Sequence, residues 1–338
     1  MHTSSLNLTQ QDSSISTRAT NGATSMNGTT GLARVDPEHV AKLGMAAYRA
    51  PSLLQPHRAQ EALRDAHGGR IPPLIGFFCG LSCPPVAKVV AQLGFDIVWI
   101  DWEHASTNVE TMTQMVHDVQ FFSEGKSMAF VRVPGHGHEN IGFALDAGAS
   151  IVVPQVDTVE QARHIVSAAR YGAIRNGTRS APPARYLPGI SDTPLDPSLT
   201  FHENVNKQAA IVIQIETYKG IQNLDAILTE CGDQISSVWL GSLDARISMG
   251  LSGGGLGGTE PEWLEAVALY ESTLAKHNMP ASGLAMGTPE TKEMMGRGKS
   301  FVVVAADTYA IMGAGLSELG YFRENFPRKN HKGIYKQL

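Results

Sequence analysis

The chain has 338 residues, 42% apolar and 17% charged, enough for one large core or two ordinary ones. Lys and Arg number 27 against 32 Asp and Glu, and the net charge of −5 offers no basic field to a nucleic-acid backbone. No apolar run reaches the roughly 18 residues of a membrane-spanning helix. Three cysteines, Cys79, Cys83 and Cys231, show neither a disulfide framework nor a zinc spacing, so a soluble protein of a reducing, cytoplasmic compartment is expected.

Residues 1–34 are mostly Ser, Thr, Asn, Gln and Gly, too polar to offset their ordering entropy, and predict a disordered tail. Helix-like stretches at 37–49 and 57–66 predict a helical arm over 35–70 that leads into the main domain. From 71 to 330 the pattern alternates. Short apolar runs at 74–79, 97–100, 128–133, 150–154, 210–215, 238–241, 281–285 and 301–305 read as parallel strands covered on both faces. Helix-period segments at 84–93, 109–122, 139–147, 159–170, 221–228, 261–276, 289–297 and 310–322 separate them. Asn108, Thr158 and Thr288 stand at N-cap positions, and Pro289 suits a first helical turn. Eight such units in about 260 residues match a (β/α)8 TIM barrel, and residues 331–338 form a C-terminal tail. A doubly wound open sheet is the alternative; the glycine fingerprint it needs after the first strand is missing.

In a barrel of this kind the chemistry sits at the carboxyl ends of the strands. Those ends carry Asp101-Trp102-Glu103-His104, Arg132, Gln214-Ile215-Glu216, Gly241-Ser242-Leu243-Asp244 and Asp307. Glu216 and Asp244 lie 28 positions apart, about one βα unit, and so top neighbouring strands. Two carboxylates ~4 Å apart repel by roughly 4 kcal/mol at an effective dielectric near 20. A divalent cation such as Mg²⁺ or Mn²⁺ between them relieves this; helix capping or pairing with an arginine is the other reading. Arg132 either holds a substrate oxyanion or forms a salt bridge within the rim. His104 is a candidate acid or base, with Asp101 or Asp146 to orient it. No strand ends in Lys, which excludes a Schiff-base aldolase, and the glycine cluster 253–258 lacks a phosphate-loop ending and reads as a flexible loop. The connection 176–206, with Arg175 just before it and Arg179, Arg185 and Tyr186 in it, reads as a lid or as padding for an oligomer contact.

The runs Gly94-Phe95-Asp96, Ile100-Asp101-Trp102-Glu103-His104, Leu145-Asp146-Ala147-Gly148-Ala149 and Pro154-Gln155-Val156-Asp157-Thr158 resemble the HpcH/HpaI aldolases, the class II pyruvate aldolases. So do Arg132, Gln214-Ile215-Glu216 and Gly241-Ser242-Leu243-Asp244, in the same order over 71–322. The resemblance implies a metal-dependent barrel, usually hexameric, that makes or breaks bonds to a pyruvate enolate. It implies that Glu216 and Asp244 bind the metal, that Gln214, Ser242 and Leu243 border the substrate, and that Arg132 holds the enolate oxygen. His104 becomes the acid/base residue, oriented by Asp101 and by Asp146 of a neighbouring subunit. Trp102, Leu243 and Arg246 depart from the family pattern and crowd the acceptor side. They put an aldehyde in doubt and suit a planar ring, with Trp102 as the aromatic wall. The polar tail, the helical arm and the length resemble a fungal branch of the family, and that resemblance implies a 2-pyrone joined to decarboxylated oxaloacetate to give a benzoate. An ordinary pyruvate–aldehyde aldolase, a citrate-lyase-like acyl-CoA lyase and a catalytically silent barrel are the alternatives.

Overall fold

The computed structural model describes residues 34–326 apart from 53, 173–175, 184–186, 188–192 and 253–257. The predicted N-terminal and C-terminal tails, Arg175, Arg185, Tyr186 and most of the glycine cluster lie outside the described residues.

The arm comes first. Asp36 caps α1 (Pro37–Leu43) by accepting the Glu38 N–H, a 3-10 turn follows at Gly44–Tyr48, and α2 runs Ala59–His67. The expected helix over 37–49 thus divides at Gly44, whose φ of 57° leaves the helical region. Rather than merely leading into the barrel, the arm seals it. Met45, Tyr48, Ala62 and Leu63 share one buried cluster with the barrel interior residues Trp99, Phe130, Trp239, Phe301 and Val303. The Tyr48 hydroxyl, inside this plug, donates to Asp65 Oδ2 at 2.8 Å, and Arg70 closes the network on Asp65 Oδ1.

β1 (Leu74–Cys79), α3 (Pro84–Ala91), β2 (Ile97–Asp101), α4 (Val109–Phe122), β3 (Met128–Arg132), α5 (His138–Asp146) and β4 (Ser150–Val153) follow. Then come α6 (Val159–Ala169), α7 (Phe201–Asn206), β5 (Ile211–Ile215), α8 (Tyr218–Cys231), β6 (Ser237–Leu240), α9 (Ser242–Ser248) and α10 (Pro261–Lys276). β7 (Ala281–Leu284), α11 (Pro289–Gly296), β8 (Phe301–Ala306) and α12 (Asp307–Asn325) complete the order. Each strand pairs in parallel with the next and β8 with β1, closing an eight-stranded (β/α)8 barrel. Asn108, Thr158 and Thr288 cap α4, α6 and α11 as their side chains predict. The short α7 and α9 were not foreseen, because helices of six and seven residues carry too few turns to show a period.

Among the described residues, one face of the barrel is bare. Only Asp307 of α12 is buried, while Ile311, Met312, Leu316, Leu319, Tyr321 and Phe322 are all exposed. On the wall that an eighth helix would cover, Ile75 of β1 is 44% exposed and α11 buries no residue.

Candidate active site

Side chains alternate along a strand, and here the alternation is resolved into two clusters. Ile97, Trp99, Phe130, Val212 and Trp239 fill the interior, whereas Val98, Ile100, Val131, Ile213 and Ile215 meet the helices. Continuing the interior phase to the carboxyl ends brings Asp101, Arg132, Gln214 and Glu216 to one mouth. Asp101 and Arg132 are register partners across β2 and β3. Arg132 donates from Nε to Asp101 Oδ1 at 2.8 Å and from Nη2 to Oδ2 at 2.9 Å, and its Nε is 3.2 Å from Glu103 Oε2. Its guanidinium lies over the rings of Phe78 at 5.6 Å and Trp99 at 5.8 Å. Burial alone would lower the Arg132 pKa, but the Asp101 hydrogen bonds and the charges of Asp101, Glu103 and Glu216 hold it above its ordinary value. Nη1 makes no hydrogen bond among the described residues, so one donor edge remains for a guest.

Glu216 closes the other side. Its Oε2 accepts the backbone N–H of Gln155 at 2.9 Å, and its Oε1 accepts Nε2 of Gln214 at 3.1 Å. Burial, then the charges of Asp244 and Glu103, push its pKa up to about 7 against the opposing Gln155 bond and Arg132. Asp244 stands in the first turn of α9, reached through the N-cap Gly241. Among the described residues, Gln214 Oε1 is buried beside Glu216 without a hydrogen-bond partner. Two hard carboxylates and an orphaned amide oxygen are a donor set that fits Mg²⁺ or Mn²⁺. No group of three or more His, Cys, Asp or Glu suited to a metal occurs among the described residues.

Several expected roles change on inspection. Asp101 does not orient His104, because both its oxygens are engaged by Arg132. The His104 ring is exposed, with Glu103 Oε2 at 3.7 Å. Glu103 is the residue that sequence reasoning missed: a single oxygen faces both Arg132 and His104, and burial raises its pKa against the lowering effect of Arg132. Asp146 accepts from Arg179 Nη2 at 2.8 Å within the same chain, and Arg179 stacks over Tyr171 at 4.5 Å instead of forming a lid. Trp102 is not a substrate wall. It is 7% exposed, packs with the helix-facing cluster, and donates Nε1 to the Thr107 carbonyl at 3.0 Å. Arg246 does not crowd the mouth; it forks onto Glu260 at 2.8 and 2.7 Å and lies over Trp263. Ser242 and Leu243 open α9, half-buried and exposed respectively.

Three comparisons bear on this geometry. The family model described as HpcH/HpaI aldolase/citrate lyase matches residues 74–313. The chain is 30% identical over 259 residues to a 4-hydroxy-2-oxo-heptane-1,7-dioate aldolase of Salmonella dublin, covering 74% of this chain and 89% of that protein. It is 34% identical over 185 residues to a 4-hydroxy-2-oxovalerate aldolase of Novosphingobium aromaticivorans, 54% of this chain but only 65% of the relative's own length. Among solved structures, macrophomate synthase superposes with a TM-score of 0.75 at 32% identity, covering 85% of this chain and 98% of that one.

Proposed function

The chain belongs to the HpcH/HpaI aldolase/citrate lyase family, and from that premise we propose that it is a divalent-cation-dependent carbon–carbon lyase acting on oxaloacetate. Loss of CO₂ from oxaloacetate leaves the pyruvate enolate, whose carbon then attacks an electrophile. Glu216 and Asp244 would hold the cation, Mg²⁺ or Mn²⁺, with Gln214 Oε1 beside Glu216. When bound, such an ion supplies a Lewis acid for the electron pair released with CO₂.

The remaining work belongs to the chain. Arg132 holds the developing enolate oxygen through its unengaged edge, and its orientation is fixed beforehand by the two bonds to Asp101. Removing one preorganised donor of this kind typically costs about 3 kcal/mol, roughly a hundredfold in rate. Glu103 steadies Arg132 from the second side and lies within reach of His104. His104, exposed at the rim, exchanges the proton at the acceptor's oxygen as the new bond forms. The observation that carries this reading is the opposition of a doubly bonded arginine to a buried carboxyl pushed up to about 7 across one mouth.

For the acceptor, the likeness to macrophomate synthase supports a 2-pyrone, followed by ring closure, a second loss of CO₂ and dehydration to a benzoate. The burial of Trp102 favours the second reading, a pyruvate–aldehyde aldolase, since it removes the bulk expected to crowd an aldehyde. Incubating the protein with oxaloacetate, Mg²⁺ and a panel of 2-pyrones and aldehydes, read by mass spectrometry, tests both. A benzoate product supports the first and a hydroxy-oxo acid the second; oxaloacetate left unconsumed overturns the lyase reading itself.

We also assign a homo-oligomer, as large as a hexamer, built by exchange of α12. The apolar faces of α12 and the bare wall around Ile75 are complementary in character, yet both are exposed in one chain. Burying α12 on a second copy removes both apolar surfaces from water.

A further inference from the structure

We propose that Gly241 and Gln155 are positioning residues that fix the Glu216 carboxylate for its cation, an inference that rests on the metal reading above. Gly241 has φ −80°, a value open to any residue, so its backbone conformation does not demand glycine. Space does. A Cβ built there would lie 2.5 Å from Glu216 Oε1, 2.6 Å from Cγ and 3.0 Å from Cδ. The glutamate side chain therefore occupies the volume that any other residue at 241 would fill. Nor can the backbone withdraw, because Gly241 N–H bonds the Ile215 carbonyl at 2.9 Å and extends the β5–β6 ladder.

The opposite oxygen is held by a second unusual backbone. Gln155 adopts φ 55°, in the left-handed region that side-chain-bearing residues seldom enter. Its own N–H points to Glu216 Oε2 at 2.9 Å, while the next residue, Val156, bonds the Gln214 carbonyl at 3.0 Å and anchors the turn. The Gln155 side chain is exposed, so what the site uses is the direction of its amide. With Gln214 Nε2 on Oε1, the ends of three successive strands grip one carboxylate: β4 by an amide, β5 by a side chain, β6 by an omission. Groups that orient a metal-binding carboxylate typically change metal affinity by ~10–100-fold when lost.

The experiment measures Mn²⁺ affinity by electron paramagnetic resonance and calorimetry, with no substrate present. Gly241→Ala should weaken binding at least tenfold with the barrel intact by circular dichroism. Once Glu216 is shortened by Glu216→Asp, adding Gly241→Ala should cost less than threefold, because the clash has been withdrawn. At 155, Gln155→Gly should bind within twofold of the parent, whereas Gln155→Val, disfavoured at this φ, should lose about tenfold. A wild-type protein that binds Mn²⁺, loses it in Glu216→Gln, and keeps it in both Gly241→Ala and Gln155→Val would overturn the inference and spare the metal reading. A wild-type protein with no Mn²⁺ affinity would overturn the metal reading and, with it, the purpose assigned to these two residues. The geometry itself is checked by a crystal structure of Gly241→Ala: Glu216 still bonded to the Gln155 amide as before would refute the steric argument in either case.

Discussion

Replacing Glu216 by Gln should stabilise the metal-free protein at alkaline pH and destabilise it at acid pH. The folded chain raises this carboxyl from 4.5 to about 7. A carboxyl held above its unfolded value contributes stability that is complete below the unfolded pKa and is lost as pH rises through the folded one. Here the window runs from about pH 4.5 to pH 7, and the ionised side chain carries a penalty of about 3 kcal/mol above it, at ~1.4 kcal/mol per pKa unit. Glutamine cannot ionise, so it escapes that penalty. Its amide offers only one accepting oxygen, however, and one of the bonds from Gln155 N–H and Gln214 Nε2 is lost, at about 1 kcal/mol. The variant should therefore gain about 2 kcal/mol at pH 8 and lose about 1 kcal/mol at pH 4, below the window. With an unfolding entropy of about 0.6 kcal/mol/K for a chain of this size, the midpoint should rise by about 3 °C at pH 8 and fall by about 2 °C at pH 4. The assay is thermal unfolding of both proteins in chelator at the two pH values, followed by Mg²⁺ at pH 8. The ion should raise the parent by up to about 3 kcal/mol at a hundredfold excess over Kd and leave the variant unmoved. A variant less stable by the same amount at both pH values would refute the reasoning, since no buried ionisation would then be at stake.

Arg132→Lys keeps a positive charge beside the buried Asp101 but breaks the two-pronged bond, and oxaloacetate decarboxylation should fall about a hundredfold with the fold retained; an unchanged kcat would make Arg132 a strut of the rim. Trp102→Phe should lower stability by about 1 kcal/mol through the lost Thr107 bond and leave the ratio of pyrone to aldehyde turnover unchanged, as read in competition assays. A shift in that ratio would return Trp102 to the substrate. Leu316→Glu with Phe322→Glu on α12 should reduce the solution mass to that of one chain by light scattering, and an unchanged mass would rule out helix exchange.

The barrel was written in local chemistry. Runs such as Ile97–Asp101 and Ile211–Ile215 are apolar because both faces are covered, and the caps Asn108, Thr158 and Thr288 mark where helices begin. Strand ends then name Arg132 and Glu216 without any coordinates, since a charge directly after a buried run must find itself at the barrel's mouth. Side-chain parity was equally available and would have corrected two assignments: Ile97, Trp99 and Asp101 share a phase that includes Glu103 and excludes Trp102. What the linear pattern lacks is pairing across strands. That Asp101 spends both oxygens on Arg132, that Arg246 turns away to Glu260, and that the room beside Gly241 is filled by Glu216 are facts about neighbours far apart in the chain. Sequence by itself determined which groups reach the mouth, because burial and alternation act residue by residue. Only the closed barrel decided which of them touch, because hydrogen bonds and excluded volume depend on distances that arise when separate strands are brought side by side.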